Sequence, residues 1–117
     1  MGRLSTHVLD TAHGLPARGM MLRLYALAGE ERSQLLETRT NRDGRTERPL
    51  LSEGEMLSGT FELEFEVGEY FAALGSDLPS PAFLSVVTVR FSVADERDNY
   101  HVPLLVSPWS YTTYRGS

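Results

Sequence analysis

An all-β sandwich with one short helix is the fold class this sequence predicts, and three observations predict it. Apolar residues recur at every second position along most patterned stretches, the period of a half-buried strand. Clusters of Gly, Pro, Asn and Asp interrupt those stretches at the short, regular spacing of a strand-turn-strand chain. A single stretch has helical character.

The first strand is predicted over residues 6–10 (THVLD), where Leu4, Thr6 and Val8 alternate with Ser5, His7 and Leu9. A turn follows at His13-Gly14-Leu15-Pro16. Residues 20–27 (MMLRLYAL) and 33–41 (SQLLETRTN) make two further strands around Gly29-Glu30, and Asn41-Arg42-Asp43-Gly44 ends the second with a turn. In 59–67, Phe61, Leu63, Phe65 and Val67 form the buried face, while Glu62, Glu64 and Glu66 form a solvated face with no chemistry assigned to it. Residues 68–76 (GEYFAALGS) carry Ala72, Ala73 and Leu74 ahead of Gly75, placed as a C-cap, and read as the helix. Three strands complete the set: 83–93, 99–107 and 109–115. With 117 residues and no linker or repeat, the chain is expected to form one domain spanning 1–117.

Composition removes whole classes of function. There is no cysteine, so disulfides, thiolate catalysis and sulfur-ligated metal are excluded. All eleven cations are arginine, which excludes Schiff-base chemistry. A net charge of −5 argues against nucleic acid and against an acidic membrane surface as partners. No apolar run reaches bilayer length, and the N-terminus lacks the apolar core of a signal peptide, so a cytoplasmic protein is expected. No nucleophile elbow, phosphate loop or dinucleotide fingerprint is present.

Strand parity singles out two histidines. Tyr100, Val102, Leu104 and Val106 share an apolar face, so His101 points the other way, as His7 does from the Leu4/Val8 face. Both are expected on an outer sheet face, which becomes a pocket when another copy of the chain covers it. Taken singly, each histidine reads first as a surface or capped residue. His13 reads as a turn residue, and Arg45, just past Asp43-Gly44, as a solvated hairpin arginine. The wide spacing of the histidines and the missing cysteines speak against a metal site.

Three segments, "LSTHVLDTAHGLPARG" (4–19), "TNRDGR" (40–45) and "YHVPLLVSPWSYTTYRGS" (100–117), resemble the signatures of the transthyretin-related 5-hydroxyisourate hydrolase family. The last ends in that family's Y-R-G-S tetrapeptide. The resemblance implies a transthyretin-like sandwich of two four-stranded sheets and a homotetramer built as a dimer of dimers, with sites in a channel between facing sheets. It implies hydrolysis of 5-hydroxyisourate to 2-oxo-4-hydroxy-4-carboxy-5-ureidoimidazoline in urate degradation, by water activation without metal or cofactor. The catalytic set it implies is His7, Arg45 and His101, with either histidine able to serve as base. Tyr114, Arg115, Gly116 and Ser117 would bind substrate. The alternative on the same fold is a transthyretin-like carrier of thyroid hormone-like molecules, without turnover.

Overall fold

Alternation along the chain builds two sheets, whose buried sides meet in one core. The computed structural model describes residues 2–116. Its strands are β1 (Leu4–Asp10), β2 (Leu15–Pro16), β3 (Met21–Ala28), β4 (Glu31–Arg39), β5 (Gly59–Phe65), β6 (Val87–Val93), β7 (Tyr100–Val106) and β8 (Tyr111–Thr113). One helix, α1 (Val67–Ala73), links β5 to β6. The sheets have the orders β2-β1-β7-β8 and β4-β3-β5-β6, four strands each. The expected sandwich is therefore the observed one, and among the described residues no helix is long and apolar enough to cross a membrane.

Boundaries differ from expectation where pairing overrides local pattern. β1 begins at Leu4 because Leu4 pairs with Tyr100 of β7 and also bridges Leu51. β2 falls inside the expected turn; a turn led by Gly14 lets Leu15 and Pro16 fold back against Asp10 and Leu9. β4 starts at Glu31 because a tight hairpin on Gly29 pairs Ala28 with Glu31 directly. The helix ends in a Schellman motif: Ser76 N donates to Phe71 O, Gly75 N donates to Ala72 O, and Gly75 adopts φ 80°.

The core runs from Leu4, Val8, Leu22, Leu24, Leu63 and Phe65 to Phe71, Val93, Leu104 and Val106, all with 2% exposure or less. Burial alternates along β1, so Ser5, His7 and Leu9 face outward. Truncating a ring as buried as Phe65 to Ala costs about 3–5 kcal/mol in such a core.

The glutamate face of β5 corrects the sequence reading. Glu62 is buried, not solvated. Antiparallel register sets Arg23 across from Glu64 and Arg90 across from Glu62, so opposite charges meet over the sheet. Glu62 accepts from Arg32 Nε at 3.0 Å and Arg90 Nε at 2.9 Å. Arg23 donates to Glu37 and Glu66, Arg32 pairs with Glu64, and the Arg32 guanidinium lies 3.5 Å above the Tyr25 ring. Burial by itself pushes the Glu62 carboxyl up; the hydrogen bonds from Arg90 and Arg32 outweigh it and hold the group below its usual range.

Asp10 presents the opposite problem, a carboxylate at the inner end of β1 with no exposed surface. Its oxygens accept from Tyr70 Oη at 2.8 Å and from the His13 backbone N at 3.0 Å, and His13 Nδ1 lies 2.7 Å away. This cluster ties α1 to the β1–β2 turn, and His13 is a turn residue as expected. Burial and the neighbouring Asp10 carboxylate raise the Tyr70 phenol pKa above its ordinary value.

Tyr70→Phe removes one donor from a fully buried charge. The expected loss is about 1.5–3 kcal/mol of stability, seen as a lower urea midpoint with an unchanged slope. An unchanged midpoint would show that the Asp10 charge is met without Tyr70.

Candidate active site

The two outward histidines come together because β1 and β7 run parallel in one register. Ser5 lies beside His101 and His7 beside Pro103, so the histidines are diagonal neighbours on the outer face. His7 Nδ1 lies 2.6 Å from His101 Nε2, and the rings stack with centroids 4.9 Å apart at 18°. His101 Nδ1 in turn lies 2.8 Å from Ser5 Oγ. Both nitrogens of His101 are thus engaged. Among the described residues, His7 Nε2 has no hydrogen-bond partner.

Arg45 reaches this pair through a clamped turn. Asn41 Oδ1 accepts from the N–H groups of Asp43 and Arg45, closing the loop. Gly44 adopts φ 73°, and its carbonyl accepts from Val8 N at 2.8 Å. A Cβ on Gly44 would sit 2.4 Å from Val8 O, so glycine is required for the approach as well as for the dihedral. The result is a bridge between Arg45 and His7. Its backbone is fixed against β1, while Arg45 itself remains exposed. Together with Ser5, Arg3 and Arg48 it lines a groove of about 230 Å³. A larger cavity of about 420 Å³ beside β4 holds no histidine.

Both imidazoles are shifted the same way. Burial pushes His7 below its ordinary value, and the Arg45 charge pushes it further. His101 is lowered by burial, then by His7 and Arg45. The pair is therefore neutral at physiological pH and able to accept a proton.

The tail divides by parity. The β7–β8 pairing of Leu104 with Thr113 continues to a bridge between His101 and Gly116, whose N donates to His101 O at 2.7 Å. Gly116 packs on the histidine itself: a Cβ there would lie 2.8 Å from His101 Cδ2. The same register sets Arg115 beside Val102, on the core side. Its guanidinium stacks 4.1 Å over the Tyr100 ring and donates to Asn99 O. Within one chain Arg115 is thereby directed toward Tyr100 and Asn99. Tyr114 is exposed, and Ser117 lies outside the described residues.

Sequence reasoning missed Ser5 as a partner of His101. Its parity with His7 was visible, but its neighbour on β7 was not, since strand register is set by tertiary pairing.

The two-sheet sandwich thus carries a coupled histidine pair on an outer face, with the Arg45 turn bridged to it. The chain belongs to the HIUase/Transthyretin family, whose model matches residues 4–116. It is 58% identical to the 5-hydroxyisourate hydrolase of Ralstonia nicotianae, with all of both chains covered. The solved 5-hydroxyisourate hydrolase of Klebsiella pneumoniae superposes with a TM-score of 0.81 at 31% identity, again over the whole of both chains. A crystal structure of (S)-allantoin synthase gives a TM-score of 0.92 at 45% identity over 99% of this chain, which spans 44% of that one.

Ring-proton titration by NMR is expected to place His7 and His101 below the ordinary histidine value of about 6.5. Arg45→Ala removes a cation that opposes their protonation, so both values should rise. Unmoved titrations would show that Arg45 does not act on the pair.

Proposed function

We propose that this chain hydrolyses 5-hydroxyisourate to 2-oxo-4-hydroxy-4-carboxy-5-ureidoimidazoline, with His7, His101 and Arg45 as its catalytic set. The observation that carries the reading is the His7–His101 hydrogen bond at 2.6 Å with Arg45 acting on both rings. Full-length likeness to hydrolases of that substrate supports it, and no observation favours a carrier without turnover.

His7 is the base in this proposal, because its Nε2 is the ring nitrogen left open while both nitrogens of His101 are occupied. A water proton passes to His7 Nε2 as the water oxygen bonds to the acyl carbon. The carbonyl becomes an alkoxide, held by the planar donor fork of Arg45. Collapse breaks the ring carbon–nitrogen bond, and the same proton goes to the leaving nitrogen. Water is added and the enzyme is restored. General-base help of this kind is worth about 10²–10⁴ in rate.

Tyr114, Arg115, Gly116 and Ser117 are the substrate-binding set in this reading, with Gly116 against His101. Arg115 holds the tail down through Tyr100 and Asn99. We further propose a homotetramer, a dimer of dimers, in the cytoplasm. The histidines are only half-buried in one chain, and Phe83, Trp109 and Tyr111 are exposed, with the Phe83 and Trp109 rings 5.8 Å apart. A cysteine-free chain suits the reducing cytoplasm. Sedimentation should give a tetramer, and an active monomer at assay concentration would defeat this assembly.

The test of function follows ultraviolet decay of the unstable intermediate generated by urate oxidase. Added protein should accelerate decay, and His7→Ala, His101→Ala and Arg45→Ala should each remove most of the acceleration without unfolding the chain. Double variants should lose far less than the product of the single losses, since the residues act on one step. Because the base works unprotonated and its pKa is lowered, turnover should persist through pH 6.5 and fail only at lower pH. Unchanged decay, or saturable thyroxine binding without turnover, would overturn the hydrolase reading.

A further inference from the structure

We propose that Ser5 is a positioning residue of this site, accepting a hydrogen bond from His101 and so setting the proton arrangement of both histidines. The proposal rests on the hydrolase reading above. Three groups stand in a row: Ser5 Oγ 2.8 Å from His101 Nδ1, and His101 Nε2 2.6 Å from His7 Nδ1. One proton occupies each link, so the direction of the first link dictates the second.

If Ser5 accepts, His101 carries its proton on Nδ1 and its Nε2 must accept. His7 then donates from Nδ1, and His7 Nε2 holds a lone pair. If Ser5 donates instead, the row reverses and His7 Nε2 carries a proton, useless as a base. A neutral imidazole has a single N–H, so no other arrangement keeps both bonds. With Ser5 accepting, its own O–H is left to the groove it lines with Arg45.

The same row accounts for the proton during turnover. When His7 takes a proton at Nε2, its Nδ1 proton can shift to His101 Nε2. The charge then rests on His101, whose Nδ1–H still points at Ser5 Oγ. Return of that proton to His7 Nδ1 frees the Nε2 proton for the leaving nitrogen. Ser5 keeps its own proton throughout. A hydroxyl suits this position because it accepts without carrying a charge, so it orders the rings without drawing them into permanent protonation. Ser5 faces outward on β1, so removing its oxygen opens no core cavity.

Ser5→Ala and Ser5→Thr separate this role from a structural one. Ser5→Ala should lower kcat on the order of 10–100-fold, the range found when the outer partner of a ligating histidine is removed. KM should stay near wild type, since Ser5 holds no substrate, and Ser5→Thr should restore kcat. Nitrogen-15 NMR of the free proteins supplies a readout independent of activity. In wild type, His101 should be protonated on Nδ1 and His7 unprotonated on Nε2. Ser5→Ala should mix these tautomers, with the denaturation midpoint nearly unchanged. Wild-type kcat in Ser5→Ala, or a kcat loss with both tautomers unmoved, would overturn the proposal. Absence of turnover in wild type would sink the hydrolase reading alone, and the tautomers would still decide whether Ser5 orders the rings.

Discussion

The site depends on one pairing, the parallel ladder between β1 and β7. His7 and His101 stand 94 positions apart in the chain. Each is unremarkable on its own strand, and the register of those strands converts two surface histidines into a coupled pair. A slip of one residue would turn either histidine into the core, where Val8 and Val102 now sit. Both ends of β1 are accordingly held by features outside the ladder. At one end Leu4 exchanges backbone bonds with Leu51, and at the other the buried Asp10 is tied to Tyr70 and His13. Between them the Gly44 carbonyl pins the arginine turn to Val8.

The two outer faces of the sandwich use charge in opposite ways. On the β4-β3-β5-β6 sheet, Arg23, Arg32 and Arg90 are matched to Glu37, Glu62, Glu64 and Glu66 across the strands. Such a lattice satisfies its own ions and leaves little for a ligand. On the β2-β1-β7-β8 sheet, a cation and two neutral rings sit together, and among the described residues no carboxylate is hydrogen-bonded to either ring of the pair. Arginine beside imidazole opposes protonation, and the pair stays available as a base. An acidic partner there would raise the histidine values and give a cationic pair instead.

The tail shows how a strand can serve two layers at once. Gly116 contacts the histidine on the outer face, while Arg115, one residue earlier, grips Tyr100 on the inner side. The close approach of backbone to ring needs the residue without a side chain, and the alternation needs the neighbouring side chain to go the other way. Holding the tail and shaping the site therefore fall to adjacent residues.

The amino-acid sequence by itself determined the sandwich, the single helix with its glycine cap, and the outward direction of His7 and His101. All three follow from local rules: a period of two, a left-handed C-cap glycine and strand parity. The Y-R-G-S ending and the histidine and arginine segments also carried the family likeness. Tertiary structure alone decided which residues meet. Ser5 lies on the same face as His7, yet only the β1–β7 register reveals its bond to His101. Arg45 is exposed in its turn as expected, but only the Gly44 clamp reveals that its backbone bridges His7. Glu62 reads as solvated from alternation, which distinguishes two faces but cannot see arginines arriving from β4 and β6. Arg115 was expected to bind substrate, but only the tail's register reveals its stacking on Tyr100. In each case the missing information was a partner distant in sequence, and hydrogen bonding between strands, which no local pattern encodes, supplied it.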